Sequence, residues 1–402
     1  MSDDLPPDDD PLGGIPFLGE LMKMLQGQAG GGADAARQLA RSIANDGESE
    51  PNIDPADRIA IEELVRVAEL QVQNATDLPV ARHGTLKLTV ANRTQWADQT
   101  IDDYRPLFEE LAAGMTATMG TPDDLPAGDP MAEMMASLSQ MMGPMMLGMT
   151  TGSMVGNLAR TALGGYSLPI PRPEGAPILV LQRNLDHFGS EWSLDRDDLR
   201  LWVCLHEVAH HAVINVPHVR ERLTHLLHRH AASFERDPES LGAAFGDIDL
   251  GAGPEALAEL QDALGDPDAI LGAVRSSAQE ALQPELTAIV AAITGYVDHV
   301  MDRTGGALIG SYSMLTEALR RRRVEADASD RFVERILGLE LDRAHYERGT
   351  EFVAGIAERA GDDGVNRLFS DPDHLPTPNE VDAPGLWLAR IDLPGIEGDS
   401  QN

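Results

Sequence analysis

The chain has 402 residues, of which 66 are acidic and 31 are basic, and its formal net charge is −35 at pH 7. Such a charge repels phosphates and anionic headgroups, so we expect neither nucleic acid nor a membrane as a partner. The one cysteine, Cys204, excludes an intrachain disulfide. Because the sequence also lacks a signal peptide and a long apolar run, it predicts a cytoplasmic protein.

The N-terminal segment, residues 1–53, is rich in Asp, Pro and Gly, a composition typical of disorder. Ordered structure is expected to begin at Asp54, which can cap a helix whose first residue is a proline. We therefore expect one domain over residues 54–395. Its first half, 54–165, is predicted to be helical, and its second half, 166–395, carries the residues of functional interest.

A methionine-rich stretch, MAEMMASLSQMMGPMMLGMTTGSMVGNLARTALGG, closes the first half. Thioether ligands for copper and a membrane hairpin are two ways to interpret it, but the interspersed Ser, Thr, Gln and Asn argue against lipid. A buried helix pair is the favoured interpretation. Gly148, Gly152 and Gly156 recur at a spacing of four and would form a smooth stripe that lets another helix approach closely.

The second half opens with a proline-rich segment and the short apolar run Ile178–Leu181, which predicts a strand. A helix follows, with Ser193 as its expected N-cap. This helix contains the pattern H-E-x-x-H, from His206 to His210. Uncharged residues surround the pattern, so we expect the helix to be buried under a cleft.

The H-E-x-x-H spacing points to a zinc site. In a helix, His206 and His210 lie one turn apart on the same face, so both imidazoles can bind one zinc ion. Glu207 lies beside them and could accept a proton from water as a general base. The alternative is a surface helix with incidental histidines.

A catalytic zinc needs a third protein ligand. Such sites often carry Glu-x-x-x-Asp on a second helix, and the apolar helix PELTAIVAAITGYVDHVMD is the best place for it. Here the pattern is Thr294-x-x-x-Asp298, with no glutamate. Asp298 could bind the zinc itself or orient a histidine, and Glu280, Glu285 or Glu317 could supply the ligand from elsewhere.

The run Arg320 to Arg323 is the only basic cluster of the chain. A nucleic-acid patch would need more cationic surroundings and stacking aromatic residues. Glu317, Glu325 and Asp327 lie close in sequence, so ion pairing along a helix face accounts better for the run.

Four segments together resemble the actinobacterial zincin-like metallopeptidase family: HEVAHH, GYVDHVMD, EALRRRRVEADASDRFVERILGLEL and LPTPNEVDAPGLWLARIDL. The resemblance covers roughly residues 90–395 and implies a mostly helical zincin-type enzyme, with one branch of the family associated with deazaflavin coenzyme biosynthesis. It implies that His206 and His210 bind zinc and that Glu207 is the base. Many relatives have a glutamate at the position of Thr294, so this chain departs from the family at the third ligand.

The sequence thus predicts a mainly α (α+β), zincin-like fold, with the motif helix beside a small β-sheet. The predicted function is a zinc-dependent hydrolase, a metallopeptidase that cleaves a peptide or amide bond in a peptide or protein substrate. The predicted site consists of His206, His210 and Asp298 as zinc ligands and Glu207 as the catalytic base. The alternative is a catalytically inactive zincin scaffold that binds a partner.

Overall fold

Helices dominate the computed structural model, which describes residues 32–81, 85–118, 148–233, 276–324 and 328–393. The first helices are α1 (Gly32–Ala44), α2 (Pro55–Ala75), α3 (Arg93–Asp103), α4 (Arg105–Thr118), α5 (helical over 148–161), α6 (Gln182–Glu191) and α7 (Arg196–Ile214). The later ones are α8 (Pro217–Ala232), α9 (Ser277–Leu308), α10 (Tyr312–Val324), α11 (Ala328–Ile336), α12 (Arg343–Asn366), α13 (Pro378–Val381) and α14 (Pro384–Ile391). None of the helices that the structure describes is both long and apolar enough to span a bilayer.

A two-stranded parallel sheet lies beside α7. Strand β1 (Leu88–Ala91) pairs with β2 (Ile178–Leu181) in the order β1-β2. All four residues of β2 are buried, as its apolar run predicts, and the predicted bounds of this strand are confirmed. The mainly α fold with a small sheet beside the motif helix is therefore confirmed.

Residues 32–44 form helix α1. The prediction of disorder over residues 1–53 is therefore wrong for this part. The small residues of α1, among them Ala36 and Ala40, are buried against α5. A Cβ on Gly152 would lie 2.7 Å from the Ala36 carbonyl oxygen, and one on Gly156 would lie 3.0 Å from that of Ala40. The prediction rested on the composition of the segment, which is rich in glycine. Composition does not reveal the spacing of alanines that forms one face of a helix.

The predicted glycine stripe is confirmed at two of its three positions, since Gly152 and Gly156 let α1 pack directly on the α5 backbone. The partner helix comes from the segment that composition assigned to disorder. Residues 131–147 of the methionine-rich stretch lie outside the described residues, and so does the other helix of the predicted pair.

The two predicted halves share one core. Strand β1 belongs to the half that was predicted to be helical, and it pairs with β2 of the other half. Helix α2, capped by Asp54 as predicted, packs on α7. Asp57 of α2 accepts a hydrogen bond from the buried Arg200 of α7 at 2.8 Å. Hydrophobic contacts therefore cross the expected boundary at residue 165.

Helix α9 runs through the centre of the second half and packs closely on α12. A Cβ on Gly295 would lie 2.1 Å from the Gly349 carbonyl oxygen, and one on Gly349 would lie 2.3 Å from that of Ala291. Only glycine at both positions allows this backbone approach. The crossing fixes α9 against the body of the protein, and with it Thr294 and Asp298.

Candidate active site

Helix α7 begins at Asp195, which caps it by accepting hydrogen bonds from the backbone N–H groups of Asp197 and Asp198, each at 3.0 Å. The predicted cap, Ser193, lies two residues too early and has a positive φ of 54°. The acidic residues in the first turn stabilise the helix, because they interact favourably with the positive end of the helix dipole. Most of the later residues are buried between α2, β2 and α9.

The two motif histidines lie on one face of α7, as predicted, and their ring centroids are 4.3 Å apart. The His210 Nδ1 atom lies 3.1 Å from the His206 carbonyl oxygen. A nitrogen in contact with a carbonyl must carry the hydrogen, so the lone pair of His210 is on Nε2. Trp202 stacks on the His206 ring at 4.9 Å and holds it in place.

Both imidazoles are neutral at pH 7. Burial, followed by the nearby Arg323 cation, lowers the pKa of His206 to about 3. Burial and the neighbouring His206 lower the pKa of His210 well below its ordinary value. The neutral imidazole is the form that binds a metal ion, so both rings are prepared for that role.

Glu207 is buried against a backbone segment that runs beside β2. Its Oε2 atom accepts a hydrogen bond from the Tyr166 N–H at 2.9 Å. Gly164 leaves the space for this carboxylate, because a Cβ there would lie 2.2 Å from the Glu207 Cδ. Burial raises the pKa of Glu207 to about 7, although the Tyr166 N–H opposes the shift. A carboxylate with this pKa can accept and release a proton near neutral pH.

One cavity of about 90 Å³ brings the predicted residues together. Three of the four predicted site residues line it: His206, Glu207 and His210. Thr294 also lines it. Tyr166, Trp202 and Leu319 contribute apolar wall, and Arg323 lies at one side. Asp298 is not part of the lining.

Thr294 faces the cavity at the position where the second helix would provide a glutamate. Its side chain is buried, and its hydroxyl donates to the carbonyl oxygens of Val290 at 3.0 Å and Ala291 at 3.2 Å. These bonds stay within α9, so the hydroxyl points its hydrogen away from the cavity. The position expected for a ligand therefore offers no carboxylate.

Arg323 is the site residue that the sequence did not reveal. Its Nη1 donates to both carboxylate oxygens of Asp298, at 3.0 and 3.2 Å, and its Nη2 lies 3.1 Å from the His206 Nε2. The guanidinium also lies over the Tyr346 ring, 5.0 Å from its centroid. Helix-face pairing, predicted for the whole basic run, holds for Arg321 with Glu317 at 2.7 Å. Arg323 instead turns inward and separates Asp298 from the imidazoles.

The donor set fits a bound cation in part. The two neutral imidazoles fit zinc, and a cation already lies against His206 and Asp298 in the form of the Arg323 guanidinium. Within the described ranges, however, no three His, Cys, Asp or Glu side chains are close enough to hold a metal ion together. Asp298 can join the imidazoles only if Arg323 releases it, so its role as a ligand stays a prediction.

The other acids considered for the third ligand lie in different surroundings. Glu285 is ion-paired with Arg222, and Glu317 with Arg321. Glu280 is exposed in the first turn of α9. None of the three lines the cavity, which leaves Asp298 as the carboxylate nearest to the imidazoles on the α9 side.

A model of the zincin-like metallopeptidase family matches residues 33–388, starting within α1. The crystal structure of a candidate hydrolase with a novel fold from Chloroflexus aurantiacus is similar, with a TM-score of 0.61 and 21% sequence identity. The alignment covers 90% of this chain and 99% of that chain, and it concerns the fold alone. No curated protein matches the chain.

Proposed function

Since the chain belongs to the zincin-like metallopeptidase family, we propose that it is a zinc-dependent hydrolase that cleaves a peptide or amide bond. One observation carries this proposal: two neutral imidazoles and a buried carboxylate with a pKa of about 7 line the same cavity. The substrate that we propose is a peptide or protein of the cytoplasm.

In the proposed site, His206 and His210 would hold the metal through their Nε2 atoms. Zinc, when bound, acidifies water and polarises a carbonyl group. The His210 orientation is set by its Nδ1–H bond to the helix backbone, and that of His206 by the stacked Trp202. Fixed rings of this kind lower the entropy cost of binding a metal. Asp298 is the proposed third ligand.

Glu207 is the proposed general base. Its Oε2 is held by the Tyr166 N–H, which leaves Oε1 to accept a proton from water and to pass it to the leaving amine. Tyr166 also anchors this segment to α7, because its ring stacks near His210 at 6.1 Å and its hydroxyl lies 2.9 Å from the His211 Nδ1. The base and the imidazoles are therefore held as one unit.

The second candidate is a catalytically inactive zincin scaffold that binds a partner. Two observations favour it. Thr294 brings no carboxylate to the cavity, and the Arg323 guanidinium is hydrogen-bonded to both Asp298 and the His206 Nε2. In such a protein, the motif residues would serve only the stability of the fold.

Metal content separates these candidates. We would measure zinc by mass spectrometry in protein purified without added metal or chelator, for the wild type, His206→Ala and Asp298→Ala. The hydrolase proposal expects about one zinc per chain in the wild type and a loss of zinc in both variants. Zinc that persists in Asp298→Ala would point to a different third ligand. A wild type that takes up no zinc on titration would favour the scaffold.

Turnover is tested with Glu207→Gln, which keeps the size of the side chain but cannot accept the proton. On a peptide library, this variant should retain zinc and lose about 10²- to 10⁴-fold of the wild-type rate. A scaffold would show no turnover in either protein, and its partner binding would not respond to this substitution.

A further inference from the structure

The Arg323 side chain makes the contacts that a metal ion would make. We propose that Arg323 is an internal cation that competes with zinc for His206 and Asp298, so that the site accepts metal only when this arginine moves away. This inference rests on the proposed zinc site and concerns what controls its occupancy.

Arg323 and a zinc ion would use the same lone pair of His206. The Nη2 of Arg323 lies 3.1 Å from the His206 Nε2, so this nitrogen accepts the guanidinium hydrogen. Arginine carries only donors, and a neutral imidazole has one lone pair. The same Nε2 cannot accept a hydrogen bond and bind zinc at once. Metal binding at His206 therefore requires the contact to break.

Arg323 and a zinc ion also carry charges of the same sign. Arginine stays protonated in proteins, so Arg323 brings a permanent positive charge to the site. Asp298 balances this charge through two contacts of 3.0 and 3.2 Å. A zinc ion placed beside His206 would meet the guanidinium at close range, and its repulsion is strong where water is scarce. The cation and the metal thus exclude each other electrostatically as well.

Thr294 explains why the balance favours the arginine. A glutamate at this position would add a second negative charge to the site and would suit a divalent ion. With threonine there, Asp298 faces the guanidinium without a second carboxylate from α9. One carboxylate neutralises a single positive charge, which Arg323 supplies.

The neighbouring arginines show that the contact is particular to Arg323. Arg322 lies over the Phe188 ring at 5.4 Å and donates to the Thr161 carbonyl oxygen, so it is directed at α5 and α6. Arg321 is exposed and pairs with Glu317. Within the basic run, Arg323 is the residue that reaches the imidazoles, with Tyr346 supporting it from α12.

The test is the zinc dissociation constant of the full-length, metal-stripped protein, measured by competition with a chromophoric chelator. Arg323→Met removes the charge and keeps an unbranched side chain, and we expect it to bind zinc at least tenfold more tightly than the wild type. Tyr346→Leu removes only the ring beneath the guanidinium and should tighten binding by about two- to fivefold. Arg321→Gln, the matched control on the same helix, should bind zinc as the wild type does.

Equal zinc affinity in the wild type, Arg323→Met and Tyr346→Leu would overturn the competition by Arg323 and leave the zinc site standing. If none of these proteins binds zinc while circular dichroism shows them folded, both the zinc site and the competition are wrong. Should Arg323→Met fail to fold, Tyr346→Leu decides, because it touches neither His206 nor Asp298.

Discussion

Helices α7 and α9 line the same cavity, but they differ in how much of a zincin site each one retains. Helix α7 carries the whole H-E-x-x-H pattern, with both imidazoles neutral and Glu207 held by the Tyr166 N–H. Helix α9 presents Thr294, whose hydroxyl is bonded within its own helix. Asp298, one turn later on α9, is bound to Arg323.

In the proposed site, the two histidines and the expected third ligand are therefore held by different parts of the fold. The α7 residues depend on one another through a single helical turn and a backbone contact. On α9, Asp298 is held by α10, because Arg323 donates to both of its carboxylate oxygens. Substitutions on α7 and on α9 should therefore have separable effects.

The largest expected effect concerns the position of α9. In Gly295→Ala, the new Cβ would lie 2.1 Å from the Gly349 carbonyl oxygen, so α9 and α12 must separate. Because neither backbone can yield locally, we expect a loss of about 3 kcal/mol or more in the free energy of unfolding. Urea denaturation followed by circular dichroism measures it.

Gly306→Ala is the matched control on the same helix, since a Cβ there meets nothing closer than 3.9 Å. It should be neutral or stabilising by up to about 1 kcal/mol, because alanine is the better helix former. Similar stability of the two variants would contradict the close crossing that places Thr294 at the cavity.

A similar effect is expected from the titration of Glu207 on α7. Burial raises the pKa of Glu207 from an ordinary 4.5 to about 7 in the native state. Between these values the native protein binds more protons than the unfolded chain, so stability falls as pH rises. A shift of this size corresponds to about 3 kcal/mol. Above pH 7, the metal-free wild type should therefore be less stable than Glu207→Gln by roughly that amount.

The two proteins share their histidines, so the difference between their stability curves isolates Glu207. The curves of the wild type and Glu207→Gln should converge below pH 4.5, where the acid is protonated in both states. Thermal or urea unfolding between pH 4 and 8 gives both curves. Parallel curves over this range would show that the carboxylate is not buried as described.

A smaller effect, on zinc affinity, is expected when a carboxylate is introduced on α9. Thr294→Glu would place an acid on the cavity wall and provide a third protein ligand, as catalytic zinc sites require. We expect zinc affinity to rise at least tenfold, or about 1.4 kcal/mol. Calorimetric titration measures this, and Thr294→Gln serves as the neutral control. If the new carboxylate pairs with Arg323 instead, affinity will stay at the wild-type level.

Local patterns account for what the sequence predicted well. The bounds of β2, the cap at Asp54 and the shared face of His206 and His210 each depend on residues close together in the chain. Periodicity and capping chemistry are sufficient for such features. The glycine stripe of α5 also predicted a close helix contact correctly.

Contacts between distant residues account for what the sequence missed. Arg323 lies 117 positions from His206, and nothing in the basic run distinguishes it from its neighbours. Helix α1 was missed because its buried alanines lie next to a glycine-rich segment. In both cases, the structure depends on contacts with residues that are distant in sequence, which local patterns do not reveal.

The central claim is that His206 and His210 form a metal site, and anomalous diffraction at the zinc edge tests it most directly. Crystals of the full-length protein would be equilibrated with zinc. The account predicts one peak within about 2.1 Å of the Nε2 atoms of both histidines, with the Arg323 contact to His206 broken. Zinc-saturated crystals with no peak there and an intact Arg323–His206 contact would contradict it.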